Sequence, residues 1–564
     1  MAESLPESGR GETPWVQGRT IGSVLEETSR RFPSQDAVVF PKLGLRWSWS
    51  EFQQRVDQAA RSLLAMGIQH GEHVAVWATN VPEWIVLQFA TARVGVVLVT
   101  INPAYRPYEL QYVLKQSDAV ALFLVERFKS SDYFAMLSEI CPTLATTLPG
   151  GLRSNEFPRL RHVVTLNGPD LPGAQPWSEW LGANTAASDA EFAARVERVQ
   201  PDERINIQYT SGTTGFPKAA MLSHRNLLLN AYYVGECQRF TEQDRVCIPV
   251  PFYHCFGCVL GTLCCLVFGA AMVIPAEYFG ALDTLDALEQ ERATAVYGVP
   301  TMFIAELEHP TFAGRRFPAL RTGIMAGAPC PIEIMRRVID QMGAAQLTIA
   351  YGQTEASPVV TQTRTSDPIE LRVETVGRPL PGVEVQVVDP ATRKALADGQ
   401  QGELWCRGHV VMLGYYQNPS ATAAAIDSDG WLHTGDLAIR LPNGYYKITG
   451  RIKDMVIRGG ENIYPREIEE FLFTHPDIEQ SAVVGVPDAR YGEELCAWIK
   501  LKPDVQLTED DIRTFCRARL AHYKVPKYVC FVEQFPQTVT GKIQKFRIRE
   551  EMMGRLGLVP PSTA

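Results

Sequence analysis

The sequence lacks the features that mark several broad classes of protein. It has no excess of basic charge, because its 564 residues include 54 Lys and Arg against 63 Asp and Glu, for a formal net charge of -9. A general nucleic-acid-binding surface is therefore not expected. There is no internal repeat and no low-complexity tract. Residues 1–15 contain three glutamates and two prolines and no apolar core, which is untypical of a secretory signal or a transit peptide.

The cysteines also lack the spacing of a disulfide framework. The 12 cysteines are scattered along the chain, which favours a reducing compartment and predicts a cytoplasmic location. Cys255 and Cys258 have the spacing of half a zinc site. No second ligand pair matches them, and buried free thiols are the favoured interpretation.

One long run lacks Asp, Glu, Lys and Arg altogether, between residues 246 and 276. Its length would allow a membrane span. Prolines and glycines interrupt it, and no basic flank follows, so we predict a buried helix followed by a buried strand at residues 270–274.

The remaining pattern predicts an α/β protein. Residues 71–77, 82–92 and 94–100 read as strand, helix and strand, a βαβ unit that requires a parallel sheet. The alternation returns at residues 283–351, whereas residues 376–448 suggest a small antiparallel β-barrel or sheet. The chain then turns to a compact α+β pattern after Gly450. We predict a large N-terminal domain at residues 1–452 and a small α+β C-terminal domain at residues 453–564.

A loop rich in hydroxyls and glycines follows the alternating segment at residues 205–209. It reads Thr210-Ser-Gly-Thr-Thr-Gly-Phe-Pro-Lys218. Glycines allow a polyphosphate to approach the backbone, hydroxyls and amides can donate to its oxygens, and Lys218 adds a positive charge. It is not the G-x-x-x-x-G-K-[ST] loop, and on composition alone an ordinary Ser/Thr/Gly loop remains an alternative.

This loop resembles the signature loop of the adenylate-forming superfamily, which includes acyl-CoA synthetases, peptide-synthetase adenylation domains and firefly luciferase. The resemblance extends from about residue 20 to 550. It implies that the loop holds the β- and γ-phosphates of ATP, through residues Thr210, Ser211, Gly212, Thr213, Thr214, Gly215 and Lys218. It also implies a Mg²⁺ site that involves Glu355 and Thr210.

Three further segments resemble the nucleotide-binding motifs of that superfamily. In Tyr351-Gly-Gln-Thr-Glu355, the resemblance implies that Tyr351 stacks on adenine, Thr354 donates to the α-phosphate and Glu355 coordinates Mg²⁺, roles that suit these side chains. Gly327, Ala328 and Pro329 resemble the strip beside adenine. Asp436, in Trp431-Leu-His-Thr-Gly-Asp436, would accept from the ribose hydroxyls, and Arg451 would also contact the ribose.

The resemblance assigns the remaining residues to chemistry and movement. Lys453 matches the hinge between domains, and Gly459 and Gly460 lie on a segment that would pass the pantetheine arm of coenzyme A. Lys542, in Pro536-Gln-Thr-Val-Thr-Gly-Lys542, matches the catalytic lysine that bridges the carboxylate and the α-phosphate. His254, in Pro251-Phe-Tyr-His254, would gate the carboxylate pocket, although a core histidine is an alternative.

Together these motifs imply a fatty acid–CoA ligase for medium- or long-chain acids. Lys542, Glu355, His254 and Thr354 are the expected catalytic residues, with ATP, Mg²⁺ and coenzyme A as cofactors and co-substrates. No Asp or Glu lies between residues 248 and 273, which disfavours an amino-acid substrate because its ammonium would lack a counter-charge. Transfer to a carrier protein, luciferase-like oxidation and a non-catalytic relative remain alternatives, and the sequence leaves a homodimer and a peripheral membrane contact open.

Overall fold

The computed structural model describes residues 13–182, 188–210, 217–328, 330–459, 461–488, 490–539 and 541–558. Its helices are α1 (Ile21–Arg31), α2 (Trp49–Ala65), α3 (Pro82–Arg93), α4 (Pro107–Gln116), α5 (Tyr133–Ile140), α6 (Trp177–Gly182), α7 (Asp189–Arg198), α8 (His224–Gln238), α9 (Thr262–Phe268), α10 (Ala281–Gln290), α11 (Pro300–Leu307), α12 (Ile332–Arg337), α13 (Ile369–Glu374), α14 (Pro419–Ala425), α15 (Pro465–Leu472), α16 (Glu509–Arg517) and α17 (Lys545–Leu556).

The strands are β1 (Asp36–Phe40), β2 (Leu45–Ser48), β3 (His73–Trp77), β4 (Val97–Thr100), β5 (Ala119–Leu124), β6 (Arg127–Phe128), β7 (Ser131–Asp132), β8 (His162–Thr165), β9 (Gln175–Pro176), β10 (Arg204–Thr210), β11 (Lys218–Ser223), β12 (Arg245–Cys247), β13 (Ala271–Val273), β14 (Ala295–Gly298), β15 (Thr322–Ala326), β16 (Gln346–Gly352), β17 (Val359–Gln362), β18 (Arg378–Pro379), β19 (Val383–Val388), β20 (Gln401–Gly408), β21 (Gly414–Tyr415), β22 (Leu432–Arg440), β23 (Tyr446–Arg451), β24 (Val456–Arg458), β25 (Glu461–Ile463), β26 (Ile478–Asp488), β27 (Gly492–Leu501) and β28 (Tyr528–Phe531).

Two large sheets with parallel centres form the N-terminal part of the chain. One has the strand order β18-β17-β16-β15-β14-β12-β13-β1-β2, and the other β21-β11-β10-β4-β3-β5-β8-β9. β3 and β4 pair in parallel and are joined by α3, so the predicted βαβ unit is confirmed. β4 starts at Val97 rather than Val94 because Gly95, at φ 67°, still belongs to the preceding turn.

The predicted barrel is instead an open antiparallel sheet. Its strand order is β19-β20-β22-β23, with β19 and β23 at opposite edges, so the barrel prediction is wrong and the sheet alternative is right. Four strands enclose too little volume for a core of their own. The apolar face packs on the large sheets instead, and Val387, Leu404 and Ala438 belong to the main hydrophobic core.

The C-terminal part forms a separate α+β unit with its own hydrophobic cores. Its sheet comprises β24 to β28, and helices α15 and α17 pack on β26. The buried residues of these two cores all lie between Val456 and Met552. The predicted domain boundary at 452/453 falls in a 3₁₀ turn at Ile452–Asp454, which separates β23 from β24, and it stays a prediction.

The uncharged run around residue 260 is buried inside the protein. It continues through a π-helical turn at Phe256–Gly261 into α9 and then β13, which confirms the predicted helix followed by a strand. All five of its thiols are buried, which agrees with the interpretation of Cys255 and Cys258 as buried free thiols, and that of Cys264 donates to the Ala231 carbonyl at 3.2 Å. Within the described ranges, no helix is both long and apolar enough to cross a bilayer.

The sheet order gathers the predicted motifs at one edge. β12, β14, β15 and β16 run parallel, so the loops that follow them emerge at their common carboxyl edge. Those loops carry His254, Gly327 and Thr354. Ligands of open α/β sheets bind at this edge, and the fold therefore brings together motifs that are far apart in the sequence.

The opposite, amino edge of the same strands is held by a buried carboxylate, which gives a stability prediction. Asp244 is 4% exposed and accepts hydrogen bonds from Arg321 at 2.8 Å and Thr294 at 2.6 Å. Asp244→Ala should lower the free energy of unfolding by about 3 kcal/mol, because it leaves buried donors without their acceptor. Urea unfolding followed by circular dichroism measures this.

A matched control removes an exposed carboxylate from an ion pair. Asp202 pairs with Arg225, and the two side chains are 66% and 48% exposed. Asp202→Ala should cost at most about 1 kcal/mol. Equal urea midpoints for Asp244→Ala and Asp202→Ala would contradict the assignment of a structural role to Asp244.

Candidate functional site

A buried carboxylate organises the part of the cleft where the nucleoside is expected. Asp436, on β22, is 3% exposed. Its Oδ2 accepts from the hydroxyl of Tyr351 at 2.7 Å, and its Oδ1 accepts from Nε of Arg451 at 2.7 Å. A carboxylate offers about four lone-pair positions, so acceptor capacity remains for a diol. The structure thus brings Tyr351, Asp436 and Arg451 together.

Register explains why Arg451 meets Asp436. The two residues are direct cross-strand partners in the antiparallel pair of β22 and β23. The carboxylate raises the pKa of Arg451, as expected for an opposite charge at contact distance. Tyr351 reaches the same carboxylate from the end of β16, in the neighbouring large sheet.

A second carboxylate lies at the base of the hydroxyl- and glycine-rich loop. Thr210 ends β10 and is the cross-strand partner of Lys218, which begins β11. The hydroxyl of Thr210 donates to Oε1 of Glu355 at 3.0 Å. The hydroxyl of Tyr415 donates to the same oxygen at 2.9 Å, and Lys218 lies over the Tyr415 ring, 5.0 Å from its centroid.

Tyr415 is held as a hydrogen-bond donor in this arrangement. Burial, together with the neighbouring Glu355 carboxylate, raises the pKa of Tyr415 far above its ordinary value. Its hydroxyl therefore keeps its proton at physiological pH.

His254 and Thr354 both lie next to the thiol of Cys255. Nδ1 of His254 accepts from the backbone N–H of Phe256 at 3.1 Å. Burial lowers the pKa of His254 to about 4, with a further contribution from the charge of Lys542, so the imidazole is neutral at pH 7. Thr354 is buried, and its hydroxyl is 3.7 Å from the thiol of Cys255.

Lys542 reaches this cleft from the C-terminal unit. A Cβ on the preceding Gly541 would lie 2.7 Å from Oγ1 of Thr301, at the start of α11, so the lysine loop packs directly on the N-terminal part. The positive charge of Arg451, followed by the loss of contact with bulk water, lowers the pKa of Lys542 to about 8. The Lys542 residue nevertheless keeps solvent-exposed surface.

The glycine strip predicted beside adenine follows β15. Gly327 has φ 85°, and a Cβ there would lie 3.2 Å from Cγ1 of Val299. Val299 also neighbours Gly541, so the strip and the lysine loop lie on either side of one valine. Ala328 is half-buried next to Gly327.

The residues predicted to act in domain movement lie outside this group. Lys453 lies in the 3₁₀ turn and keeps exposed surface. The pKa of its ammonium is lowered first by its partial burial and then by the charges of Lys218 and Arg451. Gly459, at φ 60°, donates its N–H to the carbonyl of Tyr491 at 2.8 Å within the C-terminal sheet. Seven predicted residues lie outside the described part of the chain: Ser211, Gly212, Thr213, Thr214, Gly215, Pro329 and Gly460.

Sequence reasoning missed two residues that hold the site together. Asn80 is 1% exposed, donates to the Val250 carbonyl at 3.0 Å and accepts from the Phe252 N–H at 2.8 Å. It thereby clamps the segment that carries His254 onto the turn after β3. Its place at the carboxyl end of a predicted parallel strand was the available signal. Tyr415, the second, offered no comparable signal.

Comparisons with known proteins agree with this arrangement. The profile described as AMP-binding enzyme matches residues 25–416, and that of the AMP-binding enzyme C-terminal domain matches residues 467–542. "Putative acyl-CoA synthetase YngI" of Bacillus subtilis (strain 168) is 50% identical over 539 residues, which are 96% of this chain and 98% of the relative.

Two further relatives bear on the activity and the fold. The mitochondrial medium-chain acyl-CoA ligase ACSF2 of Danio rerio is 42% identical over 545 residues, 96% of this chain and 90% of the relative. Among solved structures, ATP-bound MatB from Rhodopseudomonas palustris has a TM-score of 0.81 and 30% identity, and the match covers 94% of this chain and 99% of MatB.

The surroundings of Lys542 generate a prediction about its protonation. Arg451→Gln should raise the pKa of Lys542 from about 8, because the largest repulsive charge is removed. Asp436→Asn should lower it, because a favourable negative charge is lost. An NMR titration of the ¹³C-dimethylated lysines measures both shifts.

Arg519→Gln serves as the control, since Arg519 is an exposed residue of the C-terminal unit that is absent from the interactions of Lys542. It should leave the Lys542 titration unchanged. An unchanged midpoint in Arg451→Gln would show that the lysine loop is not beside Arg451 in solution.

Proposed function

Since the chain belongs to the family of AMP-binding enzymes, we propose that it is a fatty acid–CoA ligase for medium- or long-chain acids. The enzyme is an AMP-forming acid–CoA ligase: it converts a carboxylic acid and ATP to acyl-AMP and pyrophosphate, and then transfers the acyl group to coenzyme A. One observation carries the proposal for the site. The loop of Lys542 packs on Val299 and Thr301, which brings Lys542 within range of the charges of Arg451 and Asp436 and of the His254 ring.

Lys542 is the proposed cation of the first half-reaction. A carboxylate oxygen attacks the α-phosphorus, and the bond from that phosphorus to the bridging oxygen breaks as pyrophosphate leaves. His254 cannot supply a counter-charge because its pKa of about 4 keeps it neutral. Lys542, whose pKa is about 8, is mostly charged at pH 7 and can stabilise negative charge as it moves from the carboxylate to the phosphate.

Asp436 and Arg451 are the proposed ribose contacts, and Tyr351 with Gly327 and Ala328 the proposed adenine site. The hydroxyl of Tyr351 is fixed by Asp436, which leaves its ring face as the available binding surface. At the other end, the loop from Thr210 to Lys218 would bind the terminal phosphates through its hydroxyls and N–H groups, with Lys218 as their counter-charge.

The proposed metal ligands are Glu355 and Thr210. Their oxygen donors suit Mg²⁺, which is commonly held by one or two carboxylates together with substrate phosphates. No group of three or more His, Cys, Asp or Glu residues that could hold a metal occurs within the described residues, so the fit is to a metal–nucleotide complex rather than to an all-protein cage. Mg²⁺ would neutralise phosphate charge; the protein's part is to orient Glu355.

The second half-reaction requires the C-terminal unit to move. In it, the thiol sulfur of coenzyme A attacks the acyl carbon, the bond from that carbon to the AMP oxygen breaks, and the thiol loses its proton. We assign the hinge to Lys453, in the short turn between the two units, and the pantetheine passage to Gly459 and Gly460. Rotation about such a hinge would withdraw Lys542 and present the glycine segment.

The acid is proposed to be a medium- or long-chain alkanoic acid. The walls near His254 are apolar and buried, with Phe252, Phe256 and Tyr297 among them, and an apolar pocket suits an alkyl chain. The relative from Danio rerio is described as a medium-chain enzyme, which supports the shorter part of this range.

A panel of acids tests the substrate assignment. We expect AMP release from Mg·ATP that requires coenzyme A and peaks with saturated acids of medium or long chain, with little turnover of acetate, aryl acids or amino acids. Pyrophosphate release without coenzyme A-dependent AMP release would move the acceptor to a carrier protein. Preference for aryl acids would contradict the proposed pocket.

Lys542→Ala tests the division of labour between the half-reactions. Acyl-AMP formation should fall by roughly 10²–10³-fold, the usual cost of removing one preorganised charge. Thioester formation from supplied acyl-AMP should be retained, because Lys542 has no role in that step. Quenched-flow assays of the two half-reactions measure this.

Lys502→Ala is the matched control, since Lys502 is an exposed lysine in the same C-terminal unit. Both of its half-reactions should match the wild-type rates. Equal losses in both half-reactions of Lys542→Ala would contradict a role confined to adenylation.

A further inference from the structure

Tyr415 joins two parts of the site that the sequence motifs leave separate. It lies on β21, is 8% exposed, and is the cross-strand partner of Ala220 on β11. β11 begins at Lys218, so Tyr415 is attached by backbone pairing to the strand that leaves the loop. Its hydroxyl points away from that strand to Glu355, at 2.9 Å from Oε1.

Glu355 receives both of its hydroxyl donors on one oxygen. Thr210 donates to Oε1 at 3.0 Å from one strand, and Tyr415 donates to it at 2.9 Å from another. No donor of the described residues lies within hydrogen-bond distance of Oε2. Two donors from different strands fix the carboxylate plane more tightly than one donor could, because each removes a rotation that the other allows.

The ring of Tyr415 makes a second contact with the same part of the site. Nζ of Lys218 lies 5.0 Å from the ring centroid, within the range of a cation–π interaction. One side chain therefore supports the lysine on its face and the carboxylate at its hydroxyl.

We propose that Tyr415 is a positioning residue for the metal–triphosphate end of the site. Its hydroxyl, with that of Thr210, engages Oε1 of Glu355 and so would leave Oε2 as the oxygen available to a metal ion, while its ring supports Lys218. This inference rests on the proposed function, because it takes Glu355 as the Mg²⁺ ligand.

Nucleotide binding with and without metal separates the two contacts of Tyr415. Calorimetry uses the full-length enzyme with a non-hydrolysable ATP analogue, once with Mg²⁺ and once with EDTA. Tyr415→Phe keeps the ring and removes the hydroxyl. Its affinity in Mg²⁺ should fall about tenfold, the scale of one hydrogen bond to a charged group, whereas its affinity in EDTA should equal that of wild type.

Tyr416→Phe is the matched control, because it removes a hydroxyl one residue along the chain. That hydroxyl donates to Asp118 at 2.9 Å instead of to Glu355. Tyr416→Phe should bind the analogue as wild type does in both conditions. Tyr415→Leu removes the ring as well, and its affinity should fall in EDTA too. Thermal unfolding checks that each variant is folded.

A double-mutant cycle shows whether Tyr415 acts through Glu355. In a Glu355→Gln background, Tyr415→Phe should have little further effect on affinity in Mg²⁺, since the group that it orients is already altered. The proposal is overturned by fully additive effects, by an unchanged affinity of Tyr415→Phe in Mg²⁺, or by equal weakening in Mg²⁺ and EDTA.

The outcome for wild type distinguishes this inference from the proposed function. If wild-type enzyme binds the analogue more tightly in Mg²⁺ than in EDTA, any failure of Tyr415→Phe to respond concerns Tyr415 alone. If wild-type enzyme does not bind the analogue in either condition, the proposed function fails, and the role of Tyr415 fails with it.

Discussion

The ion pair between Asp436 and Arg451 is the interaction on which the rest of the site depends. Arg451 ends the last strand of the N-terminal part, immediately before the turn at Ile452–Asp454 that leads to the C-terminal unit. By anchoring Arg451 at 2.7 Å from its carboxylate, Asp436 fixes the point from which that unit departs. The same carboxylate orients Tyr351, and the charge of Arg451 lowers the pKa of Lys542. The proposed nucleoside contacts, the link to the C-terminal unit and the proposed catalytic lysine are thus coupled through one buried acid.

The electrostatics of the cleft explain why it suits a polyanion. The charge of Arg451 lowers the pKa of both Lys542 and Lys453, and the charge of Lys218 contributes to the lowered pKa of Lys453. A bound polyphosphate would relieve this repulsion. The chain as a whole has a net charge of -9, so the positive potential is local, which is consistent with selective anion binding rather than general attraction of nucleic acid.

Polar clamps hold the cleft walls in register across the two large sheets. Asn80 fastens the segment leading to His254 onto the turn after β3, and its two hydrogen bonds span 170 and 172 residues of sequence. Tyr415 and Thr210 hold Glu355 between strands of the second sheet and the end of β16 in the first. Buried polar groups are costly unless they are paired, so each clamp favours a single arrangement of the walls. That rigidity would complement the proposed movement of the C-terminal unit, because one fixed wall could then serve two half-reactions.

The sequence by itself determined the elements that depend on local patterns. Alternation and spacing predicted the βαβ unit at residues 71–100 and the buried helix and strand around Cys264, because hydrophobic periodicity reflects which face of a local element is buried. The motif strings predicted which side chains to look for, including Asp436, Glu355 and Lys542.

These sequence patterns could not choose between an open sheet and a barrel at residues 376–448, since closure depends on what covers the edges and faces of the strands. Nor did they reveal the clamps, because the only signal for Asn80 was its place at the carboxyl end of a predicted strand, and Tyr415 had none. Only the tertiary structure decided that Thr210 and Glu355, 145 residues apart, share a hydrogen bond and that Lys542 stands beside Arg451. Such contacts follow from strand order and from the packing of one unit on another, and no local property of the chain encodes them separately.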